Sequence, residues 1–493
     1  NLRDIYTPWD NAGGICGYMN KTGFIKDSYN EGNVSASYYV GGVCGYGDFT
    51  GDITNCYNTG SITGSGSYVG GIAGRINNSI DFNGCYNTGS ISGGVDYVGG
   101  ISGISLADTK NCYNKGYVKG SNNNIGGLLG NNTGNVFNCY NTGRVEGKSK
   151  VGGLVGTNYQ YAGKYIFNCF KTGEVIGTGD NIGELCGENN SSGTITRCFI
   201  QTGQNVGNVV GNLGGTFTNI LTLSIDAFKS GEVAYMLSQG SMLIDNKTYD
   251  GSVWGQQLGT DNYPVFGDYK VIKAAKGDND TYWATFSNRN SNAELMASTG
   301  EITVYNATVS GGTLTLTKRS DNKVALGEGV LLKANCEYVN AMNISDEVSA
   351  AATGENNLVA TPATEQTINA ETGFTLYRLA YNNSTEKTGL GFYLSLVKDE
   401  NGNVDNTSLG KKLKATPGKA YLKVAKSALG TAPIRGFVIG EDDNTTGIDV
   451  ITINGIDTND SKVDDNVYDL MGRKVSKPAK GIYIKNGKKV IIK

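Results

Sequence analysis

The chain of 493 residues holds 73 glycines, about twice the usual ~7%, but only 6 prolines, unlike collagen or a Pro/Gly linker. Its 42 basic and 45 acidic residues leave a net charge of −3, without the basic excess of a nucleic-acid binder. Histidine is absent, which excludes Ser-His-Asp and Cys-His nucleophiles, HExxH zincins and His-ligated zinc.

The chain opens at Asn1 inside a repeat, with no Met or leader, and reads as a mature or trimmed piece. From there to about residue 222 it matches itself every 24–31 residues. One anchor is Gly-Gly at 13–14, 41–42, 70–71, 99–100, 126–127 and 152–153, decaying to Gly183-Glu184 and Gly207-Asn208. The second is Cys-Tyr-Asn-Thr-Gly at 56–60 and 85–89, with relatives at 28–32, 112–116, 139–143 and 169–173 and a remnant at Cys198-Phe199. Seven or eight copies at one period predict a solenoid or propeller, and a propeller blade needs about 40 residues or more. Short pieces rich in Val, Ile, Thr and Tyr between Gly and Asn turns predict two or three short strands per copy. No proline falls between residues 9 and 263, as stacked strands require, since each rung needs its N–H for the ladder.

Six cysteines (56, 85, 112, 139, 169 and 198) share one register, and Cys16, Cys44 and Cys186 share another with Ala73, Ser102, Leu129, Val155 and Val210. A position that takes Cys, Ala, Leu and Val alike predicts packed free thiols, with disulfides between rungs as the alternative. Their spacing bears no relation to a CxxC metal site. The aromatic after each register cysteine (Tyr57, Tyr86, Tyr113, Tyr140, then Phe170 and Phe199) reads as a core ladder or as an outward stripe for sugar rings. Phe in two copies favours the core. Tyr57, Tyr86, Tyr113 and Tyr140 are the candidate ligand-binding residues. Asn55, Asn111, Asn138 and Asn168 before the cysteines mark a bend.

Gly127-Leu-Leu-Gly130 and Gly153-Leu-Val-Gly156, with variants at 14–17, 71–74 and 100–103, resemble the GLUG repeat. That motif occurs in bacterial surface proteins and beside the catalytic unit of IgA-specific metallopeptidases. The resemblance implies extracellular display and adhesion; without HExxH the peptidase activity does not carry over.

Residues 223–276 leave the repeat. Ser224–Ser238 predicts one amphipathic helix with Ile225, Phe228, Val233, Tyr235, Met236 and Leu237 apolar, within a segment that caps the open end of the solenoid. This stretch resembles one that follows repeats in surface proteins of Bacteroidetes. Residues 277–440 predict an antiparallel β-sandwich from seven short alternating runs, among them 282–286, 314–316, 330–332 and 374–377. Residues 441–493 divide by charge, nine acids and one lysine in 441–469 against eight basic residues and no acid in 471–493. Strands at 467–475 and 482–492, with Asn486-Gly487 as a hairpin turn, make a β-rich tail resembling a type IX secretion sorting signal. A small β-module without a sorting role is the alternative.

The fold class is therefore all-β: a right-handed β-solenoid of GLUG-like repeats, a helix-containing cap, an antiparallel β-sandwich and a small tail. No window is long and apolar enough to predict a membrane helix. Asp81, Asp96, Asp108, Asp180, Glu146, Glu174 and Glu184 are assigned to different registers, which disfavours the paired carboxylates of a glycosidase. The acidic loops at 277–280 and 457–461 lack EF-hand spacing, so no metal or cofactor is expected. The functional expectation is a non-enzymatic, secreted or surface-displayed adhesion protein that contacts a glycan or a host or bacterial surface protein. The alternative is a histidine-free polysaccharide lyase or glycosidase.

Overall fold

A computed structural model describes residues 1–77, 80–159, 164–190, 192–203, 208–244, 246–352, 354–383, 388–398, 403–430 and 434–439. In the tail it describes 450–452, 467–468, 474–475, 481–485 and 488–492. The predicted Asn486-Gly487 turn, the acidic loop at 457–461, most of the acidic block and Gly207 lie outside the described residues. The chain forms two compact units, one of residues 1–306, 317–366 and 415–421, the other of residues 307–316, 367–414 and 422–493.

As far as Leu223 the first unit coils into a parallel β-solenoid of two seven-stranded and three eight-stranded sheets. A representative turn contributes Ile53–Thr54, Tyr57–Asn58, Ile62–Gly64, Val69–Gly70 and Ala73–Ile76, one strand to each sheet. Five strands per turn exceed the two or three expected, because most are too short for alternation to register. The corners are sharp. Asn55, Asn111, Asn138 and Asn168 sit at φ +51°, +52°, +49° and +57°, the left-handed region that Asn tolerates better than other residues with a Cβ. The bend before each register cysteine sends the thiol inward and the next side chain outward.

Register holds throughout. Tyr57 lies opposite Tyr86, Tyr86 opposite Tyr113, and Ile62 opposite Ile91. The six cysteines of the first register and Cys44 and Cys186 of the second are fully buried among Ile and Leu. All ten cysteines are free thiols, and burial pushes Cys85, Cys139 and Cys198 up from the ordinary thiol value. A second apolar column takes Ile62, Ile91, Val118, Val145 and Val175.

A hydrogen-bonded asparagine ladder runs through the coil. Asn30, Asn58, Asn87 and Asn114 each donate Nδ2 to Oδ1 of the asparagine one turn on, at 2.7–2.8 Å, ending at Asn141. Each also donates to the carbonyl two residues ahead, as Asn58 does to Gly60 at 2.7 Å. All five are fully buried, which such satisfied amides can bear. The Gly-Gly anchor belongs to this ladder. A Cβ on Gly42, Gly71, Gly100 or Gly127 would come within 2.4–2.5 Å of the amide carbon of Asn58, Asn87, Asn114 or Asn141. Where the ladder ends, both registers change residue type. Lys171 takes the asparagine register and Glu184 the second-glycine register, and the two form a buried ion pair. Lys171 Nζ also donates to Gly173 O at 2.9 Å, filling the role of the asparagine amide. Burial pulls the Lys171 ammonium below the ordinary lysine value although Glu184 opposes it.

The segment after the repeats differs from expectation in two ways. The single predicted helix is two, α1 (Ile225–Lys229) and α2 (Glu232–Ser238), because Gly231 at φ +93° breaks the path. Ile225, assigned to the apolar face, is exposed. The segment packs along the flank of the solenoid. Asn138 Nδ2 donates to Asp250 O at 2.8 Å, Asn168 Nδ2 to Leu237 O at 3.0 Å, and Tyr249 stacks on Phe137 at 4.0 Å.

The first unit continues as a sandwich. One antiparallel sheet pairs Tyr269–Lys273 and Asn292–Ala297 with Tyr338–Ile344, and the other pairs Tyr282–Ser287 with Gly329–Ala334. Leu295, Val339 and Ala341 of the first pack with Ala284, Val330 and Leu332 of the second. In the second unit Phe374–Asn383 pairs antiparallel with Thr388–Leu394, which pairs with Ile434–Val438. The tail forms an antiparallel sheet in which Gly481–Lys485 pairs with Lys488–Ile492. Among the described residues no helix is long and apolar enough to cross a membrane.

Candidate functional site

Alternation around the asparagine ladder decides where the tyrosines go. Cys56 and Asn58 are fully buried, so Tyr57 between them stands on the outside of the coil, and the same holds at Tyr86 and Tyr113. The expected core ladder is thus an outer stripe. Tyr29 is 40% exposed, while Tyr57, Tyr86 and Tyr113 are half-buried. Tyr140 is 1% exposed, and Phe170 and Phe199 are buried as well, beneath the flanking segment. Trp254, Tyr263 and Phe266 lie 5.5–6.2 Å from the Tyr140 ring, and Trp254 and Phe228 lie within 5.7 Å of Phe170. The two copies with Phe in place of Tyr, Phe170 and Phe199, both lie under the segment. Of the four candidates, Tyr57 and Tyr86 are open, Tyr113 borders Phe266, and Tyr140 is closed off.

The rings form one continuous stack. Tyr29, Tyr57, Tyr86, Tyr113, Tyr140 and Phe170 follow one another at 4.8–4.9 Å and within 6° of parallel. That spacing is shorter than the width of a ring with its hydrogens, so the faces overlap and cannot lie side by side. The stripe therefore presents ring edges and hydroxyls, not the flat faces expected for sugar stacking. Burial raises the Tyr57 and Tyr86 hydroxyls and pushes Tyr113 up to about 12, so all three are neutral donors at ordinary pH. Lys115 stands 5.2 Å from the Tyr113 ring and 5.7 Å from Tyr263, at the border of the stripe.

One expectation about carboxylates is overturned. Asp81 and Asp108 share a register, since Phe82 pairs with Thr109 and the Asp108 N–H donates to Asp81 Oδ1 at 3.2 Å. The uneven repeat length, 27 residues here and 29 one turn earlier, conceals this in the sequence. Lys110 bridges both carboxylates at 2.5 and 3.8 Å, and Tyr249 Oη donates to Asp108 at 3.4 Å. The two aspartates hold the Lys110 ammonium above its usual value against its burial, and burial raises Tyr249, so neither is poised as a base.

The GLUG motif matches residues 36–63 and 121–146. No curated protein matches the chain. A crystal structure of a putative immunoglobulin A1 protease from Bacteroides ovatus aligns over 50% of this chain and 75% of its own, at 21% identity and a TM-score of 0.34. The chain is a β-solenoid that carries GLUG motifs.

Proposed function

We propose that this is a non-enzymatic, secreted or surface-displayed adhesion protein that uses the outer tyrosine stripe of its solenoid to hold a protein or glycan partner. One observation carries the reading: Tyr29, Tyr57 and Tyr86 stand outside the coil, locked in register by mutual stacking and by the asparagine ladder beneath them. Rings fixed in advance lose little entropy on binding, and a Tyr surface among Ser, Thr, Asn and Gly combines contact area with adaptable hydrogen bonding. Against the lyase or glycosidase alternative, the aligned Asp81–Asp108 pair is bridged by Lys110 and accepts from backbone N–H groups. The GLUG resemblance supports extracellular display, and the basic tail supports type IX sorting in a Bacteroidetes-type host.

The test uses the full chain on a glycan array and a panel of matrix and mucosal proteins. Saturable binding is expected, reduced at least tenfold in the Tyr57→Ser/Tyr86→Ser double variant, with the far-UV spectrum retained. Equal binding by both proteins, or polysaccharide cleavage by either, would overturn the reading. For the tail, removing residues 467–493 in a host with type IX secretion should leave the protein in the periplasm. Undiminished surface display would remove the sorting role.

A further inference from the structure

A second aromatic group occupies a different part of each turn. Tyr39, Tyr68 and Tyr97 stack at 4.9 and 5.2 Å within 3° of parallel, each at a left-handed corner with φ +54°, +69° and +62°. Other turns place Asn11, Asn124, Lys150 and Asn181 at left-handed corners of this register, and asparagine is the residue type such a corner favours. Three bulky rings on consecutive turns where asparagine fits with less strain make an outlier that points to a use.

Beside them runs a second column. Tyr18 pairs with Tyr46 in register and stacks on it at 5.2 Å, and Arg75 follows Tyr46 in the same register. Tyr46 meets Tyr39 edge-on at 5.2 Å, so the columns converge. The Arg75 guanidinium lies 6.0 Å from the Tyr46 ring centroid and 5.4 Å from that of Tyr68. Arg75 Nε donates to Asn77 Oδ1 at 2.9 Å, and Asn77 Nδ2 donates to Tyr46 Oη at 2.6 Å. The side chain is held by two rings and one hydrogen bond, and among the described residues it makes no ion pair.

We propose that this corner is a second binding site, one that takes a carboxylate-bearing sugar of an acidic glycan, with Arg75 as the carboxylate clamp. A guanidinium fork matches a carboxylate bidentately, and one already oriented forms that pair at a small entropic cost. Burial keeps the Tyr46 and Tyr68 phenols protonated, and Tyr46 Oη, accepting from Asn77, retains its own proton to donate to a sugar hydroxyl. Asp48 and Asp96 lie close enough to act on these phenols, which suits a single carboxylate among neutral hydroxyls and disfavours a polyacidic peptide. Tyr97, one turn on, stacks on Tyr68, and the next turn places Asn124 where another ring would stand.

The test is calorimetric titration of the full chain with hyaluronan and oligogalacturonate fragments and with sialyllactose, using lactose as the neutral control and a polyglutamate peptide as the rival anion. At least one acidic oligosaccharide should bind, with lactose at least tenfold weaker. Arg75→Gln should reduce that affinity tenfold or more, and Arg75→Lys, which keeps the charge but loses the fork, should fall between. Absence of binding to every acidic sugar, preference for polyglutamate, or indifference to Arg75→Gln in a protein of unchanged melting temperature would each overturn the proposal.

Discussion

Replacing Lys171 with Met is expected to destabilise the solenoid by about 3–5 kcal/mol, the cost of leaving one member of a buried ion pair without its partner. The Lys171 side chain is fully buried and Glu184 is nearly so, and the loss of the ammonium leaves that carboxylate inside the coil without its cation. The effect depends on pH with a definite sign. A carboxyl buried without its cation has its pKa raised in the folded chain. The folded state then holds the proton more tightly than the unfolded one, so stability lost at pH 8 returns as pH falls through the raised pKa. Urea titrations of parent and variant at pH 8 and pH 5 measure this, and a variant equally weakened at both would contradict it. The double variant Lys171→Asn/Glu184→Gly supplies the sharper comparison. It restores the residue types of the earlier turns, an asparagine facing the second glycine before it, here Gly153, and no charge in either register. It should recover most of the loss, whereas Glu184→Gly alone, which leaves a buried ammonium, should not.

The second large effect is expected at Trp254. This fully buried indole touches Tyr140, Phe170 and Phe266 and lies 3.3 Å from Asn138 Oδ1, to which its Nε1 donates. Trp254→Ala should cost about 3–5 kcal/mol through the lost transfer energy and the cavity left behind. The loss should be local. Each turn of a solenoid rests mainly on its neighbours, so the flanking segment should melt first and uncover Tyr140, Phe170 and Phe199 while the parallel sheets persist. Calorimetry should therefore resolve two transitions in the variant. A single cooperative transition shifted as a whole would show that segment and solenoid stand or fall together.

The sequence makes the solenoid legible because its two anchors recur in register, and the buried cysteines follow from positions that accept Cys, Ala, Leu and Val alike. The link between the anchors is harder to read. The second glycine of one turn makes room for the asparagine of the next, a contact between residues 14–16 positions apart. Lys171 and Glu184 depart from the pattern together, and each alone looks like decay of the repeat. The orientation of the tyrosines was not legible, because alternation fails at a left-handed corner and Asn55 sits at such a corner two residues before Tyr57. Phe170 and Phe199 suggested a core for a reason that is local: the cover over them comes from residues 225–266, distant in sequence. Helix periodicity likewise could not foresee the break at Gly231, since apolar residues lie on both sides of it. The Arg75 corner carried no sequence signal, for it joins tyrosines from two columns whose offset only the coil defines.

The central claim is that one tyrosine ladder is open at Tyr29, Tyr57 and Tyr86 and closed at Tyr140. Hydroxyl-radical footprinting of the native chain, read residue by residue by mass spectrometry, measures it directly. The expected result is strong labelling of Tyr29, Tyr57 and Tyr86, weaker labelling of Tyr113 and protection of Tyr140, with Tyr140 labelled only after Trp254→Ala. Uniform protection of all five would place the ladder in the core, and uniform labelling would mean that nothing covers its far end. Either would contradict the account.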